Sequence, residues 1–141
     1  MFDVSLNQDT RTMSAPRAGD TCEAASILTA LREKLSSSAW RKETSYWPDE
    51  WSDEVPSIGQ CAITSLLVQD FLGGDIEEVV VEDGRVHFRN IVPTLGTVDL
   101  TEDQFPEDIG FIHSKLATRQ EILTNEDTRK RYSLLRKLIQ A

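Results

Sequence analysis

The runs 76–82 and 85–91, separated by Asp83-Gly84, constrain this chain more than any other stretch. The first is rich in valine, and the second adds phenylalanine; such side chains favour extended backbone. Asp-Gly supplies the positive φ angles of a two-residue turn, so the pattern predicts a β-hairpin. A hairpin alone is marginal in water and must recruit further strands and a covering layer. Residues 93–96 turn the chain again, and 97–100 read as a third short strand antiparallel to the second. The covering layer stands just upstream. From Cys61 to about Leu72 the chain is apolar on most sides of a helix, through Ala62, Leu66, Leu67, Val68, Phe71 and Leu72. A helix of that kind is buried, and Gly73-Gly74 stops it.

The remaining elements fit round this core. Ala24, Ile27, Leu28, Leu31 and Leu35 follow the spacing of one helical face, capped by Asp20 or Thr21 and ended by Ser36-Ser37-Ser38. A turn-rich stretch, 40–56, carries all three tryptophans, Trp40, Trp47 and Trp51, with Tyr46. That much aromatic area must be buried somewhere. Rings that pin the loop to the core are the plain reading; a ring that walls a cleft is the functional one. Ser57 caps the central helix, and Gln60 completes a capping box. Residues 101–112 read as irregular and 115–121 as a short helix. Asn125 opens a final helix to about Ile139, with Tyr132, Leu135, Leu138 and Ile139 as its apolar stripe. The fold class is therefore α+β: N-terminal helices, a central cysteine-bearing helix packed on a small antiparallel β-meander, and a C-terminal helix. Residues 1–20 read as a flexible arm and 21–141 as a single domain.

The bulk numbers narrow the partners. With 141 residues, 39% hydrophobic and 28% charged, the chain can bury a core without disulfides or metals. A net charge of -9 opposes binding to nucleic acid or to an anionic membrane. The basic run Arg129-Lys130-Arg131, with Arg136 and Lys137, reads as a solvated helix face. No apolar run approaches the ~20 residues of a membrane span, and residues 1–20 lack the apolar stretch of a signal peptide. These features point to the cytoplasm, with Cys22 and Cys61 both as thiols. Two cysteines make no metal-binding spacing, and Gly73-Gly74 lacks the flanks of a phosphate loop, so no cofactor is expected.

Cys61 stands in the first turn of the central helix, where unpaired N–H groups and the helix dipole stabilise a thiolate. Gly59 permits close approach to it, and Gln60 offers an amide to a developing oxyanion. His87 lies on the second strand and Asp99 at the end of the third. If the helix crosses the sheet, all three can meet. Cysteine then attacks, histidine holds and returns the proton, and aspartate orients the ring. Trp47, Trp51 and Asn90 join Gln60 as oxyanion or substrate contacts. Each residue also has a plain reading: Cys61 as inert core, His87 as a satisfied strand residue, Asp99 as a cap for the following turn. A zinc site on the same three side chains is a further option, which the helix-terminal cysteine and its preceding glutamine disfavour against nucleophilic use. His113 reads as a packing or surface residue, and Cys22 as structural.

Trp40, Gly59-Gln60-Cys61-Ala62-Ile63-Thr64, Gly73-Gly74, His87-Phe88-Arg89-Asn90, Asp99-Leu100-Thr101 and Gln104-Phe105 resemble the YunG-like family of small bacterial proteins. In order and spacing alone the chain also resembles the core of transglutaminase-like and papain-like cysteine enzymes. The YunG-like resemblance sharpens which residues matter more than what they do. The order of Cys61, His87 and Asp99, with the second resemblance, implies a thiol-dependent hydrolase or acyltransferase of the amidase, peptidase, deamidase or transglutaminase type. Its substrate would be a small-molecule or peptide amide or ester. The competing expectation is a non-catalytic binding module for a ligand or protein, with a structural Cys/His/Asp cluster.

Overall fold

A computed structural model describes residues 21–140; the arm 1–20, with the Asp20 cap, lies outside the described residues. The first helix, α1, spans Thr21–Lys34 and passes into a π-helical turn, Leu35–Ala39. The serines therefore do not end the helix as expected. Ser36 and Ser38 donate back to the carbonyls of Arg32 and Lys34, at 2.8 and 3.2 Å, and such back-bonding loosens a helix rather than stopping it. Trp40 N–H closes the widened turn on the Leu35 carbonyl.

The central helix α2 is Cys61–Leu72, as the apolar pattern predicts. Its expected capping box does not form. The Gln60 side chain makes no cap bond, and the Ser57 hydroxyl donates instead to the Asp103 carboxylate. Both side chains are drawn away by neighbours distant in sequence, which a local pattern cannot register.

The sheet has four antiparallel strands: β1 (Asp75–Val81), β2 (Val86–Val92), β3 (Gly96–Val98) and β4 (Phe111–Ala117), in the order β3-β2-β1-β4. The hairpin turns at Asp83-Gly84, with Gly84 at φ 95° and its N–H on the Val81 carbonyl. The fourth strand corrects the reading of 101–121. Residues 111–117 pair along β1 instead of staying irregular or starting a helix. Helix α3 is the short Arg119–Ile122, capped by Thr118.

Ile63, Leu66, Leu67 and Val68 of α2 are fully buried against Leu31, Leu35, Trp40, Ile76, Val92 and Leu135. Asn90 Nδ2 fastens β2 to α2 through the Ser65 carbonyl at 2.9 Å. Helix α4 (Glu126–Gln140) begins where Asn125 accepts from the Thr128 N–H. Its basic run is not a uniform solvated face. Lys130 is exposed, but Arg131 is buried, bonded to Asp127, Thr128 and the Thr44 carbonyl. A buried guanidinium is tolerable only with such partners.

Candidate functional site

Alternation along β2 turns Phe88 and Asn90 towards α2 and His87 to the other face, opposite Val79. Val79, Val81 and Phe105 are buried there, outside the main core cluster. Strand β3 pairs only with Asn90, Ile91 and Val92, so among the described residues the His87 end of β2 has no strand beside it on that edge. Two loops come together instead. Ser57 bonds to Asp103, and Gly59 N–H reaches Gln104 Oε1 at 3.4 Å. The result brings the N-terminus of α2 to the histidine.

His87 is fully buried, and its Nε2 lies 2.7 Å from Asp99 Oδ2. The other Asp99 oxygen accepts from Thr101 N and Oγ1. Asp99 is thus both a ring partner and the local turn-former that its plain reading anticipated. Phe105 packs edge-on against the imidazole at 5.0 Å, and Phe111 stacks at 6.1 Å. Burial pushes the His87 pKa down, but the Asp99 carboxylate and the Cys61 sulfur outweigh it and raise the ring to about 9. Nδ1 is buried and has no hydrogen-bond partner among the described residues. The ring is therefore anchored on one nitrogen and available on the other.

Cys61 is part-exposed and opens into a cleft of about 380 Å³. Tyr46 and Trp47 form one wall, with their rings 4.9 Å apart and edge to face. Val86, Phe88 and Phe105 form another, and Arg85 and Arg131 are the charged side chains on the lining. Both are cations.

Gly59 has a different use from the one its sequence suggested. It sits at φ 74°, and a Cβ would lie 2.7 Å from Tyr46 N and 2.8 Å from Trp47 N. The close approach is made by the protein's own loop: Tyr46 N–H donates to the Gly59 carbonyl at 2.9 Å. That contact positions the aromatic wall over the cysteine.

The other sequence candidates divide. Trp47 reaches the cleft. Trp51 does not line it; its indole N–H is spent on the Pro56 carbonyl. Trp40 is core, bonded to Thr64 Oγ1. So two tryptophans pin the loop and one walls the cleft. Asn90 is committed to α2, and the Gln60 amide nitrogen donates to the Arg41 carbonyl at 3.0 Å, away from an oxyanion role. His113 and Cys22 are exposed. Gln104, Phe105, Arg85 and Arg131 were not assigned to the site from sequence. Only Gln104 and Phe105 carried a signal, as the close of the Asp99-Leu100-Thr101 word. Among the described residues, no three His, Cys, Asp or Glu side chains are placed to hold a metal ion. No helix among them is long and apolar enough to cross a membrane.

Fold and site together define a small α+β protein with a cysteine opening on an aromatic-walled cleft and a buried histidine–aspartate pair behind it. The YunG protein family model matches residues 27–141, and the chain belongs to that family. It is 33% identical over 90 residues to the uncharacterized protein YunG of Bacillus subtilis (strain 168), covering 63% of this chain and 74% of that protein. No solved structure matches.

Proposed function

We propose that this chain is a thiol-dependent hydrolase or acyltransferase acting on an amide or ester. Cys61 is the nucleophile, His87 the proton carrier and Asp99 the residue that orients the ring. One observation carries the reading: His87 is buried and held by Asp99 through Nε2, leaving a buried, unbonded Nδ1 on a ring that the Cys61 sulfur influences. That is the arrangement in which an imidazole can take a thiol proton and later return it. The N-terminus of α2 favours an anionic sulfur. A cysteine on a helix, a histidine on a strand and an aspartate just past the next strand also resemble the layout of transglutaminase-like and papain-like enzymes. A small-molecule or peptide substrate fits a cleft of this size, and a reducing cytoplasmic setting fits its exposed thiol.

Low-dose iodoacetamide at neutral pH, read by mass spectrometry, tests the proposal. Cys22 is the more exposed thiol, so access alone favours it. Faster labelling of Cys61 than of Cys22 is the expected result; labelling no faster than Cys22 sinks the activated nucleophile. A second reading is a non-catalytic binding cleft. It draws on the missing hydrogen bond between Nδ1 and the sulfur, and on the aromatic walls. A Cys61 that is inert to alkylation would favour it.

A further inference from the structure

We infer that Gln104 is the side-chain oxyanion donor of this site. The inference rests on the acyl-transfer reading and supplies the piece that Gln60 cannot. The Gln104 side chain lines the cleft. Its Oε1 accepts from Gly59 N–H, two residues ahead of Cys61, and this bond sets which way round the amide lies. Its Nε2 is then buried without a partner among the described residues. An amide nitrogen left in that state is costly, since its two protons have lost water and gained nothing. The cost is removed when a ligand brings an acceptor. A carbonyl oxygen bound beside Cys61 is such an acceptor. The first N–H groups of α2, from Cys61 onward, also have no partner within the helix and can share it.

The step follows. Cys61 Sγ, as the thiolate, attacks the carbonyl carbon; the S–C bond forms and the carbonyl π pair moves onto oxygen. Gln104 Nε2 and the helix N–H groups hold that oxyanion. Its collapse expels the leaving group, which takes the proton from His87 when it is an amine. Water, deprotonated by His87, then adds to the thioester, and the acid leaves as the thiolate re-forms.

Two probes separate this role from a structural one. Iodoacetamide alkylates the sulfur by displacement at carbon and builds no oxyanion. p-Nitrophenyl acetate acylates it through one, and needs no proton for its leaving group. Both rates are measured on the full chain for wild type, Gln104→Ala and Gln104→Glu, with thermal unfolding as a control. Gln104→Glu keeps an oxygen for Gly59 N–H and replaces the donor by an anion. The expected result is a loss of about 10²–10³-fold in acylation for both variants, with alkylation of Cys61 unchanged in Gln104→Ala and lowered less than acylation in Gln104→Glu, where the new carboxylate also opposes the thiolate. Equal losses in the two rates would make Gln104 a structural residue and overturn the inference, as would acylation that survives in Gln104→Glu. A wild-type Cys61 that neither probe labels faster than Cys22 overturns the acyl-transfer reading itself, and this inference with it.

Discussion

Helix α2 has a polar cluster at each end, and the two ends are built differently. At the C-terminal end, the Tyr132 hydroxyl bonds to Asp70, and Arg119 reaches Tyr132, Asp70, Gln69 and the Leu66 carbonyl. Burial first, then Asp70, pushes the Tyr132 pKa up to about 12, so its hydroxyl stays protonated as a donor. Every charge there has an opposite, and every donor named has an acceptor. At the N-terminal end, Cys61, His87, Asp99, Gln60 and Gln104 meet, and the network is incomplete. Of the four buried side-chain atoms without a partner among the described residues, three belong to this end: His87 Nδ1, Gln60 Oε1 and Gln104 Nε2. A fully paired cluster stabilises a fold. One with loose atoms is not explained by stability alone, and of the three residues that carry them Gln104 lines the cleft.

The largest expected effect is on the reactive end. Cys61→Ala should abolish acylation by p-nitrophenyl acetate while shifting unfolding free energy by less than about 1 kcal/mol, because the side chain is part-exposed and small. A variant that still acylates at another residue, seen by mass spectrometry, would erase the contrast between the ends.

Next in size is a pH effect. The folded-state pKa of His87, about 9, lies above its ordinary 6.5. The folded chain thus holds a proton that the unfolded chain gives up. The stability this supplies is whole below pH 6.5 and is lost as pH rises to about 9; its full size is on the order of 3 kcal/mol. Denaturant titrations across that window should show the decline. In Asp99→Asn, burial acts with one opposing partner fewer, so an NMR titration of His87 should move well below 9 and the decline should flatten. An unchanged His87 titration would mean that Asp99 does not govern the ring.

How much of this was legible in sequence depended on where each signal lay. The hairpin and α2 were, because Asp83-Gly84 and the apolar span Cys61–Leu72 act locally. Strand β4 was not. Six of its seven residues are exposed and only Ala117 is buried, so no hydrophobic face marks it. Its pairing is dictated by the open edge of β1, whose Ile76, Val79 and Val81 are fully buried. Cys61, His87 and Asp99 stood out by type, and the meeting of His87 and Asp99 was the geometric expectation. The choice between glutamines was not legible. Gln60 adjoins Cys61 in sequence, yet its amide is taken by Arg41, and the bare amide belongs to Gln104, brought back by the turn after Asp99. Adjacency along the chain says little about direction in space.

At the opposite end of α2, Tyr132→Phe should cost about 1–3 kcal/mol in unfolding free energy, since it strips a hydroxyl from Asp70 and Arg119. It should leave the Cys61 alkylation rate unchanged. A slower thiol would show that the two ends communicate along the helix and are not separate devices.

A small effect on stability is also expected at Trp47. It is 43% exposed and touches Tyr46 edge-on, so Trp47→Ala forfeits little burial, about 1 kcal/mol or less. Trp40, 5% exposed and bonded to Thr64, is the opposite case, and Trp40→Ala should cost about 3–5 kcal/mol. The comparison sharpens at the cleft. If Trp47 is a wall for substrate, its loss should raise the KM for an aromatic ester and leave the alkylation of Cys61 by iodoacetamide unchanged, because the small reagent does not need the wall. If Trp47 merely shields the sulfur, alkylation should rise instead. A destabilisation as large as that of Trp40→Ala would show that the exposed ring is part of the fold and not a wall free to serve a ligand.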